Sequence, residues 1–382
     1  MQSALSNLQV LDFSRVLAGP LATMTLADLG AEVTKIEPPG GDDTRQWGPP
    51  FDAGGEATYF QSVNRNKRTL VLDLKDPGDL ARAQELAAGA DVLVENFRPG
   101  VMNRFELGFE RLHELSPGLI YCSITGFGRE QGASLPGYDL LVQALGGIMS
   151  ITGEPSGEPQ KIGVALVDVL AGLYATVGIL AALEHRRSTG EGQRVEVELL
   201  SALLAGLVNQ ASAYTVAGVV PERMGNQHPS IAPYELLRCA DGELVLAVGT
   251  DRQFGSLCEV IGAPELATDS RFESNSGRVE HRAALREQLE RRLGGRPVAD
   301  WAAELTSVGV PAGAVNDVGA AFRLADELGL SPIARIERED GTTIELPRNP
   351  ITLSATPATY RMAPPRFEPA PSRDTTTQAI QR

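Results

Sequence analysis

One stretch limits what this chain can become. From residue 164 to residue 183 it is almost wholly apolar, and its single carboxylate is Asp168. A charged carboxylate left unpaired in apolar surroundings costs roughly several kcal/mol. Asp168 is therefore either satisfied by backbone donors or used for chemistry. Three arrangements fit. A membrane span needs about 20 apolar residues, but a central Asp costs about 2.5–3.5 kcal/mol there, no second span follows, and both flanks read as soluble. A structural arrangement makes 164–167 a short strand, lets Asp168 cap a buried helix, and stops that helix at Gly190. A catalytic arrangement puts Asp168 at the same helix start as nucleophile or base, with the helix dipole keeping it ionised and apolar walls stripping its water. The last two are compatible.

A chain of 382 residues suggests two or three domains. The net charge of −15 argues against a nucleic-acid binder but admits an anionic ligand where basic residues gather locally. Cys122, Cys239 and Cys258 have no CxxC spacing, and His113, His185, His228 and His281 form no HExxH pattern. Neither a disulfide framework nor a metal site is signalled. The first seven residues lack a basic segment followed by an apolar one, so the expectation is a reduced, cytoplasmic protein.

The chain opens as a βαβ unit: strand 8–13, helix 18–29, strand 31–36. The turn carries no GxGxxG, which disfavours an ordinary dinucleotide site. Strands at 69–74, 91–95 and 119–124 alternate with helices at 80–89, 98–105 and 110–115, the pattern of an α/β fold with a mostly parallel sheet covered on both faces. After Gly190 come 194–199 and an apolar helix over 200–216. A smaller α/β domain follows, with two strands in 235–248 turning at Asp241-Gly242, and helices at 250–261, 278–293 and 298–307. A hairpin over 336–346 precedes a Pro-rich tail. The expected organisation is a large Rossmann-like domain over 1–215, a linker over 216–233, a small domain over 234–308, a linker over 309–330, and a segment over 331–382 that returns to the large domain.

Several short segments, in order, carry a family resemblance: residues 12–20 (Asp12-Phe13-Ser14-Arg15-Val16-Leu17-Ala18-Gly19-Pro20), 64–75, Asn96-Phe97-Arg98-Pro99-Gly100 with Arg104, Ile124-Thr125-Gly126-Phe127-Gly128, Gly137-Tyr138-Asp139, the Asp168 stretch, Gly225-Asn226-Gln227-His228-Pro229 and Gly309-Val310-Pro311-Ala312-Gly313. Over roughly 6–360 the chain resembles the family III CoA-transferases, which include formyl-CoA:oxalate, carnitine and succinyl-CoA:dicarboxylate enzymes and the α-methylacyl-CoA racemases. The resemblance implies CoA contacts at Val16, Leu17, Ala18, Leu72, Lys75, Asn96, Phe97 and Arg104, and puts Tyr138 near the reacting end. Where related transferases often carry an Arg that meets the adenine or its phosphate, this chain has Pro38, which leaves Arg45 as a stand-in. It also implies an interlocked homodimer, with the active site between the large domain of one chain and the small domain of its partner. No tightly bound cofactor is expected, since CoA is a substrate. The residues agree with an anionic ligand: Lys67-Arg68, Lys75, Arg98 and Arg104 supply local positive charge, although without the resemblance solvated surface charge is the favoured explanation of such residues.

By resemblance, Asp168 attacks the acyl-CoA thioester and a mixed anhydride forms. Returning thiolate gives an aspartyl-CoA thioester, and an acceptor carboxylate takes the CoA. The apolar setting would exclude hydrolytic water, and backbone N–H groups would hold the oxyanion, with residues 225–229 a candidate lid or donor segment. Racemisation is the alternative and needs an acid/base group on each face of the α-carbon. Racemases carry Gly-His-Asp where this chain has Gly137-Tyr138-Asp139, and a tyrosine's ordinary pKa of about 10 suits that task badly. A non-catalytic CoA-binding protein is a third reading, disfavoured by the intact Asp168 stretch. Acyl-CoA and small carboxylic acids, with succinyl-CoA as donor, are the expected partners, and neither nucleic acid nor membrane. On the substrate side Arg15, Gln227 and His228 are candidates, and Arg65 is a further cation for a dicarboxylate.

Overall fold

The computed structural model describes residues 3–368, and they divide into two compact units. The first comprises residues up to Gly146, then Ile162–Ala217, then the chain from Ser331 onward. The second comprises Gly147–Lys161 and Gly218–Leu330. The segment 147–161 thus leaves the large domain, to which its position in sequence had assigned it. Arg223 explains why: its guanidinium donates to the carbonyls of Glu154, Ser150 and Gly157 at 3.1–3.4 Å. Of the expected linkers 216–233 and 309–330, residues 218–233 and all of 309–330 belong to the same unit, and 309–330 contains the helix Val318–Glu327.

The first unit is built on six parallel strands: β1 Gln9–Asp12, β2 Glu32–Glu37, β3 Lys67–Val71, β4 Val92–Glu95, β5 Ile120–Thr125 and β6 Arg194–Glu198. Their order is β3-β2-β1-β4-β5-β6. Strands β4 and β5 are buried throughout, as a sheet covered on both faces requires. One face packs Leu11, Phe13, Leu93, Leu107, Leu112 and Tyr121 into a core. The helices Ala18–Asp28 and Leu166–Thr189 pack against each other, and the latter also meets β5 and β6. The strand order reverses between β1 and β4, and in such sheets ligands bind outside the carboxyl ends of the strands at that point.

The apolar stretch forms the 24-residue helix Leu166–Thr189, closed by Gly190 at φ +81°. Residues 164–165 are irregular, so the expected short strand is absent. Val167, Ala171, Ala175, Ile179 and Ala182 are buried, while Leu173, Tyr174, Val177 and Leu180 are exposed. The expected single helix over 200–216 is two, Leu199–Gly206 and Val208–Ala217, bent by 85°. Val208, at the start of the second, has φ +45°, outside helical backbone. The hairpin Ile333–Glu337 with Thr343–Pro347 returns to this unit.

The second unit holds a three-stranded antiparallel sheet, β7 Tyr234–Arg238, β8 Glu243–Ala247 and β9 Ala312–Ala314. Leu237, Leu246, Phe254, Phe272, Leu289 and Trp301 fill its core. The expected helix 278–293 breaks at His281 into Asn275–Glu280 and Arg282–Leu293.

Candidate active site

A cleft of about 200 Å³ opens at the strand-order reversal of the first unit. Its walls come from Arg15 to Ala18 after β1, from Asn96 to Pro99 after β4, from the residues after β5, and from Tyr138, Asp139 and Asp168. The turn after β1 is held from below. Asp12, fully buried, accepts from Ser14 N at 2.9 Å, Thr23 Oγ1 at 2.6 Å and Lys67 Nζ at 3.1 Å. Burial alone would raise the Asp12 carboxyl, but Lys67 and Lys35 beside it hold it below its usual range. Lys35 donates to the Ser14 carbonyl at 2.7 Å and pairs with Asp42 at 2.9 Å. From the other side Asn96 bonds the Arg15 main chain. These anchors keep Val16 at φ +69°, a left-handed conformation that a β-branched residue rarely adopts.

Asp168 lies in the first turn of the long helix, half-buried, and lines the cleft. It is not the cap. Asp139 performs that task from another helix: its Oδ1 accepts from Val167 N at 2.8 Å and, at 3.4 Å, faces Asp168 N. Asp139 Oδ2 accepts from Gln143 Nε2 at 2.6 Å, and Gln143 Oε1 accepts from Ile162 N at 2.9 Å. Among the described residues nothing donates to the Asp168 carboxylate, so it is free to react. Burial, and then the Asp139 charge, raise its pKa to about 7. This reverses the expectation that the helix dipole keeps Asp168 readily ionised. The terminal N–H groups serve Asp139 instead, and that acidic cap repels a second negative charge.

Three further groups define this end of the cleft. Gly126 and Gly137 touch backbone to backbone; a Cβ on Gly137 would sit 2.6 Å from Gly126 Cα. That contact sets the position of Tyr138, which is 66% exposed at the rim. Trp47 lines the cleft, and its ring meets Tyr59 edge-on at 5.3 Å. Burial and the charges of Asp168, Asp139 and Asp42 push the Tyr59 hydroxyl up to about 12. Sequence reasoning missed Trp47, Tyr59 and Gln143, and gave Asp139 no role. They lie in separate segments, and no local pattern links them to residue 168.

Residues 5–368 match the family described as CoA-transferase family III. The chain belongs to the family III CoA-transferases. It is 43% identical over 370 residues to the succinate–glutarate CoA-transferase of Agrobacterium fabrum, covering 95% of this chain and 92% of that protein. It is 42% identical over 351 residues to the acetyl-CoA:oxalate CoA-transferase of Acetobacter aceti, covering 91% and 88%. A crystal structure of a CaiB/BaiF family protein from Brucella suis superposes with a TM-score of 0.85 at 43% identity, covering 96% of this chain and 97% of that one.

In this transferase the cleft gathers Val16, Leu17, Ala18, Asn96 and Phe97 with Asp168 and Tyr138. Leu72, Lys75 and Arg104 lie outside that lining: Leu72 is buried in the core beneath the sheet. The basic cluster read from sequence is partly internal. Lys67 is fully buried beside Asp12, with burial holding its pKa down near 8, so it cannot meet a phosphate. Arg45 cannot stand in at the adenine. It is forked onto Glu37 at 2.7 Å and lies 3.7 Å over the Phe60 ring. Arg65 is likewise committed, bidentate to buried Asp28 at 2.7 and 2.9 Å. Arg15 and Arg98 do line the cleft. In the second unit Gln227 donates to buried Glu235 at 3.1 Å, and His228 Nδ1 accepts from Ser230 N at 3.1 Å. The main-chain N–H groups of Gly225, Gln227 and His228 are bonded to the carbonyls of Gly153, Met224 and Tyr234, which leaves these three residues no spare main-chain donor for an oxyanion.

Proposed function

We propose that this transferase moves CoA from an acyl-CoA to a dicarboxylic acid through covalent intermediates on Asp168. The observation that carries this is the Asp168 carboxylate, which faces the cleft with no hydrogen bond from the described residues. In ionised form it attacks the thioester carbonyl carbon, the C–S bond breaks, and CoA thiolate leaves from a mixed anhydride. The thiolate attacks the aspartyl carbonyl and releases the donor acid as carboxylate. The acceptor carboxylate then attacks the aspartyl-CoA thioester and expels thiolate. That thiolate takes the acceptor's acyl carbon and frees Asp168. No proton is consumed, so the enzyme needs Asp168 charged and water excluded.

Cations suited to a second carboxylate line the same cleft. Arg15 stacks 5.1 Å over Phe97 and lies 3.7 Å from Asp43, and Arg98 is exposed beside it. The first helix has no side-chain cap, and Leu17 and Ala18 at its start line the cleft; its backbone donors suit a developing oxyanion. Tyr138 at the rim is a donor for an acyl carbonyl. Succinyl-CoA with glutarate or oxalate, read by mass spectrometry with hydroxylamine trapping, tests the scheme. Hydroxamate at Asp168, absent in Asp168→Ala, is expected; turnover without modification at residue 168 overturns it.

The family's dimeric state is part of this reading. The outer face of the long helix exposes Leu173, Tyr174, Val177 and Leu180 in an apolar stripe, a surface that asks for a partner. Val177→Glu is expected to shift the mass measured by light scattering from dimer to monomer. A wild-type monomer would refute the assembly.

A further inference from the structure

Asp168 is the last in a chain of contacts that starts on a different helix. Gln143 and Asp139 lie one turn apart on the helix Asp139–Leu145. Together they hold the segment entering the long helix at four points. Gln143 Oε1 takes Ile162 N, Gln143 Nε2 reaches Val164 O at 3.4 Å, and Asp139 Oδ1 takes Val167 N and faces Asp168 N. The internal Gln143–Asp139 bond at 2.6 Å makes the two side chains one rigid unit. Gln143 is 1% exposed, so this unit is shut off from water on one side. The long helix has no side-chain cap of its own, and its N-cap residue is Ala165. Leu166 N bonds Val164 O, but without the clamp the N–H groups of Val167 and Asp168 lose their acceptor and the entry path is not fixed.

We propose that Asp139 and Gln143 are a positioning pair for Asp168: they fix the turn that carries the nucleophile and place a like charge beside its carboxylate. This rests on the reading of Asp168 as nucleophile. An amide at 139 or a carboxylate at 139 serves equally as a backbone acceptor. Only the carboxylate also opposes ionisation of Asp168, which raises its basicity and hence its strength as a nucleophile. The titratable and charged groups that share the cleft are Asp139, Tyr138, Arg15, Asp43 and Arg98, and Tyr59 from the helix Thr58–Ser62 feels the charges of Asp168 and Asp139. Of these, Asp139 is the one charge that acts on Asp168 beyond burial itself.

The pair makes a prediction that a purely structural cap does not. Asp139→Asn keeps the Oδ1 acceptor for Val167 N and removes the charge, at the cost of the bond from Gln143 Nε2. The midpoint of the kcat/KM–pH profile is expected to move acid by about one unit, with the plateau above pH 8 reduced less than tenfold. Asp139→Ala loses the acceptor as well. Its plateau is expected to fall by about a hundredfold, with faster hydrogen exchange at Val167 and Asp168. Gln143→Ala is expected to show the exchange effect with an unmoved midpoint. An unmoved midpoint in Asp139→Asn, in a protein that still acylates at Asp168, overturns the proposal. Failure of the wild-type enzyme to acylate at Asp168 would instead overturn the nucleophile assignment, so the two failures are distinguishable.

Discussion

Asn96 grips the main chain of Arg15 from both sides: its Oδ1 accepts from Arg15 N at 2.8 Å, and its Nδ2 donates to Arg15 O at 2.8 Å. One side chain after β4 thereby sets the backbone after β1, across the point where strand order reverses. Asn96→Ala removes both bonds, each worth about 0.5–1.5 kcal/mol, and releases Val16 from its left-handed conformation. The expected result is a rise of about tenfold in KM for acyl-CoA, with a small drop in Tm. Asn96→Asp, which keeps the acceptor alone, should fall between. Steady-state kinetics on the three proteins checks this.

Because the Asp168 pKa is raised to about 7 by burial and Asp139, the reactive carboxylate is depleted in acid. Below pH 7, kcat/KM is expected to fall about tenfold per unit. Stability runs the other way. A carboxyl whose folded pKa exceeds its unfolded value binds its proton more tightly when folded. Its penalty is absent below about pH 4, grows between pH 4 and 7, and is complete above 7. Asp168→Asn should therefore be inactive yet stabilised at pH 8, on the order of 2 kcal/mol, and indistinguishable from wild type near pH 4. Paired urea melts at the two pH values test the sign.

Arg65 serves the fold and not the substrate. It is forked onto Asp28, to which Asn66 and Asn349 also donate, and its Nη1 reaches the Pro347 carbonyl at 2.9 Å. Removing one member of a buried pair costs about 3–5 kcal/mol. Arg65→Ala is expected to lower stability by that amount and to loosen the 347–362 segment. Hydrogen exchange at Asn349 and Met362 reads this, and an unchanged denaturation midpoint refutes it.

Gly137 and Gly126 allow two backbone segments to touch. The Cβ of Gly137→Ala would meet Gly126 Cα at 2.6 Å and Gly126 N at 2.9 Å, both main-chain atoms that cannot swing aside. The segment bearing Tyr138 and Asp139 must then shift. Activity is expected to fall by about a hundredfold, more than Tm would suggest, and a near-normal kcat would refute the role given to this contact.

Much of the first unit was legible. Strand and helix alternation follows from local periodicity, and in the second unit the helix Val298–Ser307 lies where the sequence put it. The isolation of Asp168 was also plain, since no neighbour in its apolar run can neutralise it. Basic residues were misread for a physical reason. A Lys or Arg looks the same in sequence whether it faces solvent or a buried acid, and Lys67 meets Asp12 fifty-five positions away.

The sequence by itself determined the parallel α/β framework, the long apolar helix with its stop at Gly190, and the one acid that framework had to accommodate. These rest on interactions between near neighbours. Only the tertiary structure decided that Asp139, 28 positions before Val167, caps that helix, that Arg45 and Arg65 are spent on internal carboxylates, and that 147–161 joins the second unit. Each depends on which distant donor meets which acceptor when the sheet closes, and no local pattern encodes that pairing.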